Sequence, residues 1–285
     1  MKIVNLNHEI IDYGVKLINP LQEWKVTKGK GIKVAVLDTG IDYNHVDLKH
    51  NFAGGINFTT ANRNDYMDYV GHGTFCAGLI AAEANNVGVI GVAPEASIYA
   101  VKVLDNTSQG TIKWLMQGIE WSINNKMDII NCSLGFTKDY PALHDLICKA
   151  YNAGIITVAA AGNNKFALDV EYPARYGECL SCGAVDSQKH LAKFSSKGKH
   201  AEIVAPGVDI ISTYIRNAYA QNSGTSFSCP LLAGAIALIQ SRTFKETGRK
   251  LNTAEIREFI YEHCEDLGLP GVDYLFAHGL FKFDD

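Results

Sequence analysis

Three short segments hold residue types that chemistry can use. Asp38 stands at the middle of VAVLDTGID (34–42), His72 sits between two glycines in GHGT (71–74), and Ser226 follows Gly224 and Thr225 in SGTSFSCP (223–230). A serine hydroxyl is a poor nucleophile until an imidazole takes its proton. That imidazole needs a carboxylate to hold its tautomer and to stabilise the cation it becomes. Glycines beside the histidine and the serine let another backbone come close, and a helix start beneath each adds a positive end that favours developing negative charge. Taken singly, each segment has a plainer explanation: an acid after a strand, a poorly designed helix start, a serine cap. Capping does not explain all three in the order Asp, His, Ser. Together they point to acyl transfer.

The surrounding pattern supplies elements to position them. Nearly unbroken apolar runs at 32–37, 97–103, 127–132, 155–160 and 203–204 read as strands of a parallel sheet buried on both faces. Between them lie helical spacings at 74–83, 111–125 and 140–153, the last stopped by Gly154. The stretch 226–239 is apolar all round and reads as a central buried helix, with Pro230 expected in its first turn. A surface helix is expected over 253–264 with Thr253 as N-cap. Strands alternating with helices imply an α/β fold with a doubly wound parallel sheet in three α/β/α layers. Sites in such sheets form beyond the carboxyl ends of the strands, where Asp38 falls.

With 285 residues, 47% of them hydrophobic, the chain is long enough for one large domain, and no linker composition divides it. The expected division is an N-terminal segment 1–19 and a domain 20–285. A net charge of −4 gives no basic field for nucleic acid or anionic lipid. No run reaches the roughly 18 apolar residues of a membrane span. The polar start has no apolar core of about 7–15 residues as a secretory signal requires. Seven cysteines, an odd number mostly inside apolar segments, read as buried thiols of a reducing compartment, and the Cys179–Cys182 pair lacks partners for zinc. The expected location is the cytoplasm.

The three segments resemble the signature blocks of the subtilases, in that family's chain order, which is itself a described case. The resemblance runs from about Pro20 to about Arg242 and includes GVAPEASIYAVKVL (91–104), NCSLG (131–135), AAAGNN (159–164), YPARY (172–176), FSSKG (194–198) and VAPG (204–207). It implies a serine endopeptidase of subtilisin-like fold, with Ser226 as nucleophile, His72 as general base and Asp38 as orienting carboxylate. Asn163 matches the family's oxyanion-hole asparagine. Ser133, Leu134 and Gly135 match one wall of the substrate groove and Gly110 the other, so that a peptide binds as an added extended strand. Segment 83–89 matches the length of the family's calcium loop. There the implied ligands are Asp47, the Asn85 side chain and the carbonyls of Glu83, Val87 and Val89, oxygens suited to a hard cation.

Some positions depart from the family pattern. Phe227, Ser228 and Cys229 follow the nucleophile where Met-Ala-Ser or Met-Ala-Thr is common, Leu231 replaces a frequent histidine, and Phe75 and Cys76 replace His-Val. Phe227 is expected beside the oxyanion hole, narrowing the leaving-group side. Cys76 and Cys229, each about one turn from a catalytic residue, imply sensitivity to bulky thiol reagents. Asp169 and Glu171 stand near the expected rim of the first substrate pocket and suggest a polar or basic preference there.

The lack of a secretory signal, with GVKLINPLQEW (14–24) leading into the first strand, places the resemblance in the intracellular branch. About 19 residues before Pro20 are too few for a folded prodomain, and the chain stops at Asp285 soon after its last helix. These features favour a selective processing enzyme such as a lantibiotic leader peptidase. A general intracellular subtilisin and a catalytically silent binding scaffold remain the competing readings.

Overall fold

The computed structural model describes residues 1–284. A nine-stranded sheet runs through its centre in the order β11-β12-β8-β7-β6-β5-β2-β4-β3. Its strands are β2 (Lys33–Asp38), β3 (Phe52–Asn57), β4 (Ser97–Lys102), β5 (Ile129–Cys132), β6 (Ile156–Ala160), β7 (Cys179–Val185), β8 (Ile203–Pro206), β11 (Cys264–Glu265) and β12 (Leu280–Phe281). All pair in parallel except β11 with β12. A separate antiparallel sheet joins β1 (Lys2–Val4), β10 (Ala218–Asn222) and β9 (Ile210–Tyr214).

Helices cover both faces. On one side lie α3 (His72–Ala81) and α6 (Thr225–Thr247), on the other α4 (Ile112–Asn124) and α5 (Pro141–Asn152). Strand β2 shows why the sequence reads as a continuous apolar run. Val34 and Val36 enter the core beneath α3 and α6, while Ala35 and Leu37 enter the core beneath α4 and α5. The same alternation separates Cys179 from Cys182: they lie on opposite faces of β7, each in a different core. A strand cannot bring that pair together as ligands or as a disulfide.

The first 19 residues pack into the same body. Besides β1 they supply α1 (Tyr13–Ile18), whose Val15 and Ile18 are fully buried. The short α2 (Glu23–Val26) follows, and α7 (Thr253–Glu262) closes the chain's helical content. The N-cap of α7 is Asn252, not Thr253. Asn252 and Glu255 form a reciprocal capping box, which satisfies two end groups at once. Pro230 is also misplaced by the sequence reading: it is the sixth residue of α6, inside the helix. That helix is long and apolar enough to cross a membrane, but its apolar window is 83% buried within the protein, as a core helix should be.

The winding of the sheet decides where a site can form. From β2 the chain crosses to β3 and β4 on one side, then returns to β5 on the other. The direction reverses at β2, and a crevice opens at its carboxyl end. Asp38 is the last residue of that strand.

Candidate active site

At the reversal point, Asp38 is fully buried and His72 opens α3 beside it. His72 Nδ1 lies 2.8 and 2.9 Å from the two carboxylate oxygens. The flanking glycines permit this approach. A Cβ on Gly73 would fall 2.1 Å from the Gly40 carbonyl oxygen, and one on Gly71 1.9 Å from the Tyr214 ring. Burial opposes charge on the imidazole, but the Asp38 carboxylate outweighs it and holds His72 well above the usual histidine range.

Asp68 fixes the start of α3. One oxygen accepts from the N–H groups of Val70 and Gly71 and from the Thr39 hydroxyl, and the other from the N–H and hydroxyl of Thr74. Thr39 in turn accepts from the Gly73 N–H. The sequence reading missed Asp68 and Thr39. An acid four residues before the histidine was the available signal; four of its five donors are local, and the Thr39 hydroxyl comes from across the fold.

Ser226 is the second residue of α6. Its backbone carbonyl would normally receive the N–H of the residue four positions on, but Pro230 has none. The Ser133 hydroxyl fills the gap, donating to that carbonyl at 2.8 Å, and Cys76 Sγ lies 3.5 Å away. The same sulfur is 4.0 Å from His72 Nδ1, so histidine and serine share a neighbour. Among the described residues, neither the hydroxyl nor the N–H of Ser226 has a hydrogen-bond partner. Hydrogen bonds between catalytic groups are often loose until substrate arrives.

Asn163 stands alongside. Its Oδ1 accepts from the Thr225 N–H at 3.0 Å and from the Thr225 hydroxyl at 3.1 Å, which fixes the amide's orientation. Among the described residues its Nδ2 has no partner, and the side chain is exposed. Two free donors, Asn163 Nδ2 and the Ser226 N–H, therefore flank Thr225.

Ser133, Leu134 and Gly135 line a cavity of about 500 Å³ together with Gly110, Thr39 and His72. The two substrate walls nominated by the sequence thus face one groove that ends at the imidazole. Phe227 packs against Phe75 and His72, with ring centroids 4.4 and 5.6 Å apart. There it lines a smaller cavity of about 210 Å³ with Met1 and Tyr214. Cys76 and Cys229 are both fully buried, and Cys229 Sγ points to Asn131 Oδ1 and the Val158 carbonyl. Asp169 is not free at a pocket rim: it pairs with Arg175 at 3.0 Å and His200 at 2.5 Å.

The nominated calcium loop follows α3 at the end opposite His72. Asp47 is fully buried and accepts from the Val89 N–H, from Asn85 Nδ2 and from the Tyr219 hydroxyl. Burial, opposed by these donors, raises its pKa. Glu9, absent from the sequence assignment, adds a second carboxylate that accepts from the N–H groups of Asn85 and Asn86. The Glu83 carboxylate turns away to His50. Among the described residues, the carbonyl oxygens of Glu83, Val87 and Val89 accept no hydrogen bond. Unclaimed oxygens beside two carboxylates fit a hard cation.

A buried Asp bonded to a histidine, and a serine on a second helix start that shares Cys76 with that histidine, therefore lie at the switch point of a doubly wound sheet. The family model of the subtilases matches residues 29–279, and the chain belongs to that family of serine endopeptidases. It is 42% identical over 265 residues to the intracellular serine protease of Paenibacillus polymyxa, covering 90% of this chain and 81% of that protein. It is 45% identical over 236 residues to subtilisin E of Bacillus subtilis (strain 168), covering 81% of this chain and 61% of the other. Against the minor extracellular protease Epr of the same organism, 42% identity extends over 272 residues, 95% of this chain but only 41% of that protein.

Proposed function

We propose that this chain hydrolyses peptide bonds through an acyl-enzyme, with Ser226 as nucleophile, His72 as general base and then acid, and Asp38 as its orienting carboxylate. The observation that carries the reading is the pair of unpaired donors, Asn163 Nδ2 and the Ser226 N–H, set beside a histidine already bonded to a buried carboxylate. The peptide lies as an extended strand between Gly110 and the Ser133–Leu134–Gly135 wall. His72 draws the proton from Ser226 Oγ as it attacks the carbonyl carbon, and the two donors receive the oxyanion. His72 then protonates the leaving amine, and water cleaves the ester by the same route. Labelling with a fluorophosphonate tests this: the wild type reacts and Ser226→Ala does not. An unlabelled wild type that binds peptides would instead mark a silent scaffold.

The cramped cavity around Phe227 and Met1 supports a selective enzyme such as a lantibiotic leader peptidase, and the similarity to an intracellular serine protease supports action in the cytoplasm. The similarity to an intracellular serine protease supports a second reading, general turnover of cytoplasmic proteins. Rates on bulk casein compared with rates on precursor peptides separate the two. Calcium is proposed at the 83–89 loop, held by Asp47, the Asn85 side chain and the free carbonyls of Glu83, Val87 and Val89, with Glu9 nearby. Asn85 must turn its amide to offer Oδ1. A ligand that binds only the folded state raises its melting temperature, so calorimetry with calcium and with chelator should differ. Identical melting in both would remove the cation.

A further inference from the structure

We propose that Glu171 selects a cationic side chain, arginine or lysine, at the substrate residue whose carbonyl Ser226 attacks. The inference rests on the endopeptidase reading above and names its substrate class. Glu171 lies on a strip wedged between the two segments that frame the nucleophile. Its N–H donates to the Ala161 carbonyl at 2.9 Å, and the next residue, Tyr172, exchanges two backbone hydrogen bonds with Phe136. One neighbour of this strip is therefore the substrate wall and the other is the approach to Asn163.

The carboxylate sits between the glycines of those segments. A Cβ on Gly135 would fall 2.5 Å from Glu171 Oε2, and one on Gly162 2.7 Å from its Cδ. Both positions lack side chains, so neither glycine covers the acid. Gly162 donates its N–H to the Thr225 hydroxyl, which places this slot one residue from Ser226.

Among the described residues, Glu171 has no hydrogen-bond or ion-pair partner for its side chain. The nearest charges along the strip, Asp169 and Arg175, are committed to each other, with His200 as a third member. Burial alone raises the Glu171 pKa, and no neighbouring charge relieves it. A half-buried carboxylate without a partner is costly, and a cation entering the slot removes that cost. A leucine or phenylalanine there would bury the charge further.

The test uses four peptides differing only in that residue: arginine, lysine, citrulline and leucine. Citrulline keeps the shape of arginine without its charge. The wild type should cleave the arginine peptide about 10- to 100-fold more efficiently than the citrulline peptide by kcat/KM. Glu171→Gln should erase that ratio and speed leucine cleavage relative to arginine cleavage, as expected when the charge that leucine would bury is removed with volume retained. As pH falls through the Glu171 pKa, the arginine-to-citrulline ratio should fall, and His72 cancels because both peptides use it. Equal cleavage of arginine and citrulline by the wild type, or an unchanged ratio in Glu171→Gln, overturns the proposal. Fluorophosphonate labelling of each variant reports an intact site, and Glu171→Gly serves where the glutamine variant does not label. A wild type that neither labels nor cleaves overturns the endopeptidase reading and this inference with it.

Discussion

The starts of α3 and α6 carry His72 and Ser226, the proposed base and nucleophile, and they are finished in opposite ways. At α3 an acid, Asp68, absorbs three backbone N–H groups and two hydroxyls, so the positive end of the helix is neutralised and His72 is held in place. At α6 the N-cap is Gly224, with no side-chain cap, and the Ser226 N–H stays free. In the proposed mechanism one helix end positions the base, and the other is left open for the charge that develops during attack. The same contrast extends to the residues behind them, since a buried carboxylate backs His72 while Ser226 is held only by neutral contacts from Ser133 and Cys76.

Substitutions can break this division of labour, beginning with the largest effect. Ser226→Ala should lower kcat by about 10⁶, the scale that loss of the nucleophile has in subtilisin-type enzymes. Active-site titration must accompany it to exclude contaminating wild type. Asp38→Asn should cost about 10⁴ and should also move the pH profile. In the wild type the carboxylate raises the His72 pKa, and the base works only when neutral, so kcat/KM rises with pH through a value above that of an ordinary histidine. Without the carboxylate, burial dominates, and the acid limb should shift to lower pH. An unmoved limb would show that another group controls it.

On the α6 side, Asn163→Ala should reduce kcat by about 10²–10³ with KM little changed, the size such a donor has in subtilisin. A larger rise in KM than fall in kcat would mean that Asn163 contacts the ground state. Asp68→Asn should have a smaller effect, about tenfold in kcat, because the amide still accepts from some donors but loses the charge. Asp68→Ala should be worse and should lower the melting temperature, since five donors then lose their acceptor. If Asp68→Asn matched Asn163→Ala in severity, the two helix ends would be less different than their hydrogen bonds imply. The smallest effect concerns the thiols. Bulky reagents should react slowly with Cys76 and Cys229 because both are fully buried, and inhibition should follow Cys76 modification, as its sulfur lies 4.0 Å from His72.

Much of the sheet was legible before the structure. The apolar runs at 97–103 and 155–160 correspond to β4 and β6, because strands buried on both faces need apolar residues at every position. Strand β3 was not legible: FAGGIN has two glycines and a half-exposed pattern, and it is an edge strand. Strand β7, CLSCGAV, was obscured by polar and small residues, although all seven are buried. The antiparallel β9–β10 pair was hidden because AYAQN alternates weakly and needs its neighbours to be recognised. At the site, motif residues were readable and their supports were not. Thr39 reaches Asp68, and Thr225 reaches Asn163, only across the fold, and Glu171 separated from Asp169 only when Arg175 and His200 were seen to claim the latter.

Chemistry and the apolar pattern were therefore written locally. The residue types at 38, 72, 163 and 226, the apolar periodicity and the close-approach glycines are properties of short segments, because hydroxyl, imidazole and backbone sterics depend on identity and nearest neighbours. Partnership was decided only in three dimensions. Which acid stays unpaired, which carbonyl Ser133 rescues from Pro230 and which helix end stays open depend on groups far apart in the chain, and hydrogen bonding and desolvation act through space.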